Sequence, residues 1–139
     1  MEFLKSAFRK FDSKPLFSGD ITATYGEVYN EVTNHARLEK HRLAIVIVSD
    51  GTTAVLSYLA CALQDVTIMP LPEQLGDDQL VQFIKLFEPD YIIMRMDRDD
   101  PPTFKGYQPL EAQLFQKNLK IYHCQASNQQ DITEVVLLL

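Results

Sequence analysis

Ser49, Asp50, Gly51, Thr52 and Thr53 stand between an aliphatic run, Leu43 to Val48, and an apolar stretch of helical character, Ala54 to Leu63. A loop that leaves a buried strand and opens a helix is a natural anion site, because unpaired N–H groups and the helix dipole both point outward there. It is not a nucleotide loop of known pattern. No Gly-Lys-Ser or Gly-Lys-Thr follows, and Gly51 is its only glycine. The plainer role is capping, with Ser49 or Asp50 receiving the first helical N–H groups.

The remaining reactive side chains are scattered. His123 and Cys124 are adjacent, Cys61 lies far away on an apolar helix, and no Cys-x-x-Cys or His-x-x-x-His spacing occurs. Without such a spacing no metal site is assigned. Cys61 reads as a small buried hydrophobe. His35 and His41 flank the end of the first long helix, where a partly exposed imidazole suits the dipole. Asp97, Arg98, Asp99 and Asp100 offer carboxylates to a divalent cation, but such runs are usually solvated loops. A receiver-type domain would need an aspartate at the end of its third strand, and the strand in question ends Ile68-Met69-Pro70. No nucleophile and base can be paired, so no catalytic residue is assigned and cofactor-binding residues stay unknown.

The composition narrows the class. A chain of 139 residues supports one core, and 46% apolar content suits a single globular domain over 1–139. A net charge of -6 disfavours nucleic acid and anionic membranes, which reward clustered Lys and Arg. The start, through Lys5, Arg9 and Lys10, is too charged for the core of a signal peptide. No run approaches the roughly 18 apolar residues of a membrane span. With two cysteines there is no disulfide framework, so a reducing cytoplasm is the expected location.

The elements that must position these residues follow from periodicity. Phe3, Leu4, Ala7, Phe8 and Phe11 predict a short amphipathic helix, and 14–23 a hairpin turning at Ser18-Gly19-Asp20. Thr24-Tyr25-Gly26-Glu27 is a capping box that opens a helix buried through Val28, Val32 and Ala36. Strands are then expected at 43–48, 66–69, 91–94, 119–123 and 135–139. Helices are expected at 54–63, after Asp77 and Asp78, and at 110–117, with 97–109 as a surface loop. Pro89 should end the second of these helical stretches by holding Glu88 extended. Alternating strand and helix predicts an α/β fold, a parallel sheet of about five strands with helices on both faces, preceded by the small helix and hairpin.

Four segments in order resemble the AMP-forming adenylating enzymes, a family of acyl- and aryl-CoA synthetases, peptide-synthetase adenylation domains and luciferases. Thr24-Tyr25-Gly26-Glu27-Val28 resembles their T-Y-x-E-L start, and Arg42 to Asp50 their R-V-A-I-x-x-x-N strand and loop. Tyr58 to Leu63 with Val66 to Leu71 is similar to the segment ending A-G-A-V-y-v-P-L. Glu88 to Ile93 resembles x-P-x-x-I-I. The order holds over residues 15–139. Two departures mark a divergent member: Leu63-Gln64-Asp65-Val66 replaces the A-G-A-V turn, and Asp50 replaces the asparagine.

The resemblance implies a parent that activates a carboxylate with ATP and Mg²⁺ and passes the acyl-adenylate to a thiol. Asp131 to Leu139 resembles the strand that leads into the family's T-S-G-T-T-G-x-P-K loop, and the 139 residues contain no such loop. The chain is therefore expected to be an N-terminal ligase fragment, inactive alone and with no cofactor of its own. The expected partner is the remainder of the ligase or another chain at the final strand, a homodimer included, since an uncovered apolar strand invites pairing. The alternative readings are a non-enzymatic interaction module, one half of a split ligase, or a small-molecule binder at the strand ends.

Overall fold

The computed structural model describes residues 2–49, 51–95 and 102–124. It opens with α1 (Glu2–Lys10), the antiparallel hairpin β1 (Pro15–Ser18) and β2 (Thr22–Thr24), and α2 (Tyr25–His35). There follow β3 (Leu43–Val48), α3 (Thr52–Ala62), β4 (Thr67–Pro72), α4 (Asp77–Phe87), β5 (Tyr91–Arg95), β6 (Tyr107–Leu114) and β7 (Lys117–Cys124). The expected strand at 135–139 and the connector before it lie outside the described residues, as do Asp50 and the cluster Asp97 to Asp100.

The capping box forms as its spacing predicts. Glu27 N–H donates to Thr24 Oγ1 at 3.1 Å, and Thr24 N–H donates to Glu27 Oε1 at 2.9 Å. The entry to α2 is tight: Gly26 N–H donates to Asp12 O at 3.0 Å. A Cβ on Gly26 would stand 1.7 Å from Asp12 Oδ1, so this position requires glycine unless Asp12 moves. Phe8 of α1 meets Tyr25 edge-on, ring centroids 5.0 Å apart, and ties the first helix to the second.

The sheet corrects the expected fold class. It is mixed, in the order β4-β3-β5-β7-β6. β3 pairs in parallel with β4 and with β5, while β7 pairs antiparallel with both β5 and β6. The cause is local. The stretch expected as a helix at 110–117 is the second half of β6 and a hairpin turn, with Phe115 at φ 49° and Gln116 at φ 66°. Two consecutive left-handed residues match the strand twist of a tight hairpin, usually signalled by Asn-Gly, which Phe-Gln conceals. A tight hairpin can join only antiparallel strands. The expected loop at 97–109 is also shorter, because Tyr107 to Pro109 belong to β6.

Proline placement follows the same logic. β4 and β6 are the edges of the sheet, and they carry Pro70, Pro72 and Pro109. An edge strand tolerates a residue with no N–H to give. Pro70 thus does not close β4, which runs on to Pro72. Glu88 is a further correction, since it caps α4 in the left-handed region (φ 45°, ψ 57°) rather than in extended geometry. Its N–H bonds Ile84 O at 2.9 Å, which satisfies one of the last helical carbonyls.

Alternation along the strands divides the core in two. Ala44, Val46, Ile93, Ala112 and Leu119 face α1, α2 and α3 through Phe8, Val28, Val32 and Leu56. Leu43, Ile45, Ile92, Met94 and Tyr122 face α4 through Leu80, with Phe104 edge-on to Tyr122 at 4.9 Å. Each buried Val, Leu, Ile or Met side chain among these contributes about 1.5–3 kcal/mol. No helix among the described residues is long and apolar enough to cross a membrane.

Candidate functional site

At the carboxyl ends of the parallel strands, the start of α3 differs from the expected cap. The N-cap is Gly51, at φ 85°, with no side-chain hydrogen bond to the helix, and Ser49 is buried rather than capping. Thr52 Oγ1 instead donates to Asp20 Oδ1 at 2.7 Å, and Lys117 Nζ reaches Asp20 Oδ2 at 2.9 Å. The Asp20 carboxyl is held down to about 2, first by the Lys117 ammonium and then by the Thr52 hydroxyl. A fixed carboxylate beside Thr52 disfavours a second anion at this helix start. Nearby, Arg95 pairs with Glu73 at 3.1 Å in a cavity of about 250 Å³ between Ile47 and Met94.

A larger cavity, about 640 Å³, opens at the other edge of the sheet. Its frame is built by the antiparallel half. Tyr91 at the start of β5 pairs across with His123 of β7, and Ile121 of β7 pairs with Leu110 of β6. The segment that leaves α2 supplies His35, Arg37, Leu38, Glu39 and Lys40. That segment is clamped from the turn that follows α3. Gln64 Nε2 donates to Ala36 O at 2.7 Å and to Ala60 O at 2.9 Å, and Gln64 Oε1 accepts from Leu38 N–H at 3.0 Å.

Polar groups converge on this cavity. Tyr91 Oη accepts the Glu39 N–H at 3.0 Å, and burial raises its phenol above the ordinary value. The Glu39 carboxylate is answered by Arg42 at 3.2 Å, and His35 lies 3.6 Å from Glu31 on the preceding turn. Leu38 and Ile121 are buried in the floor, and Leu110 is exposed at the rim.

The reactive residues of the sequence fall in separate places. His35 and His123 come together on the large cavity, whereas His41, in the left-handed region at φ 61°, bonds Asp65 O with its N–H. Cys61 is fully buried in α3, where desolvation pushes its thiol up to about 12, and Cys124 is half-buried at the end of β7. Among the described residues no three of His, Cys, Asp and Glu gather as a metal site. Arg37, Lys40 and Tyr91 carried no spacing signal. They meet His123 only because β7 runs antiparallel to β5, a pairing that alternation of strand and helix does not reveal.

Comparison with known proteins adds the fold. No family model matches the chain, and no curated protein matches it. Solved structures do match. The crystal structure of IdnL1 is similar over 93% of this chain and 29% of that chain, with a TM-score of 0.63 and 15% identity. At that identity the likeness concerns the fold alone. The chain spans under a third of the length of IdnL1.

Proposed function

We propose that this chain is the N-terminal part of an ATP-dependent ligase that activates a carboxylate as its acyl-adenylate and passes it to a thiol. The observation that carries the reading is the order of the family-like segments on consecutive elements. Thr24 to Glu27 caps α2, Arg42 to Val48 forms β3, Tyr58 to Leu71 spans α3 and β4, and Glu88 to Ile93 turns into β5. A fold shared with part of a longer protein is consistent with a chain that is one region of a larger enzyme.

Among the described residues, none gathers to hold ATP or Mg²⁺. The start of α3 offers one glycine and faces the Asp20 carboxylate, and no acidic cluster for a metal gathers among the described residues. In this reading the described residues contribute scaffold, and the nucleotide would be held elsewhere in the ligase. Pyrophosphate exchange with the isolated chain tests this. No exchange above background is expected for any carboxylic acid, and measurable exchange overturns the scaffold reading.

An exposed apolar face favours the related reading of an interaction module or one half of a split ligase. Val48, Val55 and Tyr58 are 42%, 44% and 47% exposed beside the edge strand β4, around an apolar cavity of about 260 Å³. Its occupant in this reading is the remainder of the ligase, for which the longer chain of IdnL1 leaves room. Sedimentation of the purified chain discriminates. A monomer that shields Tyr58 from iodide quenching only when the rest of the ligase is added supports it. A self-associated species that Val55→Asp dissociates would assign the face to a second copy instead.

A further inference from the structure

We propose that the cavity at the amino edge of the sheet binds a small organic oxyanion, a carboxylate or a phosphate monoester carried on an apolar body. The assignment rests on the cavity and its side chains, and is independent of the ligase reading. At about 640 Å³ the cavity lies within the range of small-molecule sites. Its floor, Leu38 and Ile121, is apolar and buried, and Leu110 extends that surface to the rim. Such a lining accepts a ring or a short acyl chain rather than a bare ion.

The charge at the mouth is the reverse of the molecule's. The chain carries a net charge of -6, yet Arg37 and Lys40 line this cavity together with His35 and His123. Glu39 is the one carboxylate among the described residues of its lining, and Arg42 engages it at 3.2 Å. Neither Arg37 nor Lys40 has an ion-pair partner among the described residues. Tyr91 uses its oxygen to accept the Glu39 N–H, which leaves its hydroxyl proton as a donor for a ligand. Guanidinium, ammonium and phenol donors beside one another suit a group with several acceptor oxygens.

The site is also preorganised. Gln64 fixes the Ala36–Leu38 backbone through hydrogen bonds of 2.7 and 3.0 Å, so the segment bearing Arg37 and Lys40 is held before any ligand arrives. A fixed frame lowers the ordering cost of binding.

Amide and imidazole NMR of the full chain tests the proposal with phenyl phosphate, benzoate, inorganic phosphate and benzyl alcohol as probes. Saturable shifts confined to 36–40, Tyr91, Ile121 and His123 are expected with phenyl phosphate, benzoate or both, and the comparison of the two says which oxyanion is preferred. Arg37→Gln with Lys40→Gln should weaken binding about tenfold, as loss of two charge-assisted contacts implies, and Lys14→Gln should leave it unchanged. Both cationic side chains are exposed, so the variant keeps its core. Shifts that never saturate, or a double variant that binds as the parent does, overturn the site. Equal binding of benzyl alcohol overturns the anion, and equal binding of inorganic phosphate overturns the apolar body.

Discussion

Gln64 holds the backbone of Ala36, Nε2 to O at 2.7 Å, across a separation of 28 residues. The same side chain accepts the Leu38 N–H, so one amide satisfies both a carbonyl and an N–H in the segment that leaves α2. Gln64→Ala strands these partly buried groups and should cost about 1–3 kcal/mol, the usual penalty for unpaired polar groups. Urea unfolding measures it. Gln64→Glu keeps the acceptor for Leu38 but turns an acceptor-only carboxylate oxygen onto Ala36 O and Ala60 O, so it should cost at least as much as alanine. An alanine variant as stable as the parent would show that solvent replaces the clamp.

Gly26 and Asp12 make a second pair whose coupling can be read. Gly26→Ala puts a methyl group where Asp12 Oδ1 stands and 3.2 Å from Asp12 O. The helix gains from alanine, but the crowding outweighs it, and a net loss of about 1 kcal/mol is expected. In an Asp12→Ala background the side-chain clash is gone, and the same substitution should cost less. Thermal unfolding of the four proteins in the cycle measures the coupling. Equal costs in both backgrounds would refute it.

Asp20 sets an acid limit on the structure. Its carboxyl lies at about 2 when folded against an ordinary 3.8, because Lys117 and Thr52 stabilise the charged form. A depressed acid contributes stability that is fully present above the unfolded value and lost as pH falls toward the folded one. Between pH 3.8 and about 2 the parent should therefore lose stability more steeply than Asp20→Asn. Denaturation midpoints along that range decide the point, and parallel curves would mean that the Lys117 contact does not persist in solution.

The two thiols should separate in reactivity. Cys61 has no exposed surface and a thiol pushed up to about 12, whereas Cys124 is half-buried. Since thiolate and access both govern reaction, a disulfide reagent on native protein should modify Cys124 first. Cys61 should follow only as the chain opens, and a denaturant series of labelling rates checks this. Prompt labelling of Cys61 in the native state would show that α3 opens locally.

The parts of the fold legible in the sequence are those encoded over a few residues. The Thr24–Glu27 box, the helices around Val28 and Leu56, and the strands at Leu43 and Tyr91 follow from capping and periodicity alone. The direction of β7 does not, because it depends on a turn at Phe115 and Gln116 whose residues disguise their left-handed backbone. The candidate site was hidden for the same reason. His123 was visible as a residue, but its place opposite Tyr91 is a matter of register across an antiparallel pair. The role of Asp20 was hidden by distance, since its partners Thr52 and Lys117 lie 32 and 97 residues on, in elements that meet only in the folded chain.

The C-terminal hairpin also sets a schedule. Val28 and Val32 of α2 share a core with Ala112 and Leu114 of β6, and Glu31 accepts the Phe115 N–H at 2.7 Å. Lys117 completes the Asp20 contact from the same turn. A growing chain emerging from the ribosome can form α1, the first hairpin and α2 early, since their contacts are local. The part of their packing surface supplied by Ala112 and Leu114 is missing until the turn at Phe115 has left the exit tunnel. Ribosome pausing or a cleavage before that point would release a polypeptide with its first two helices made and the β6 side of their shared core open to water, a form exposed to aggregation and to proteolysis.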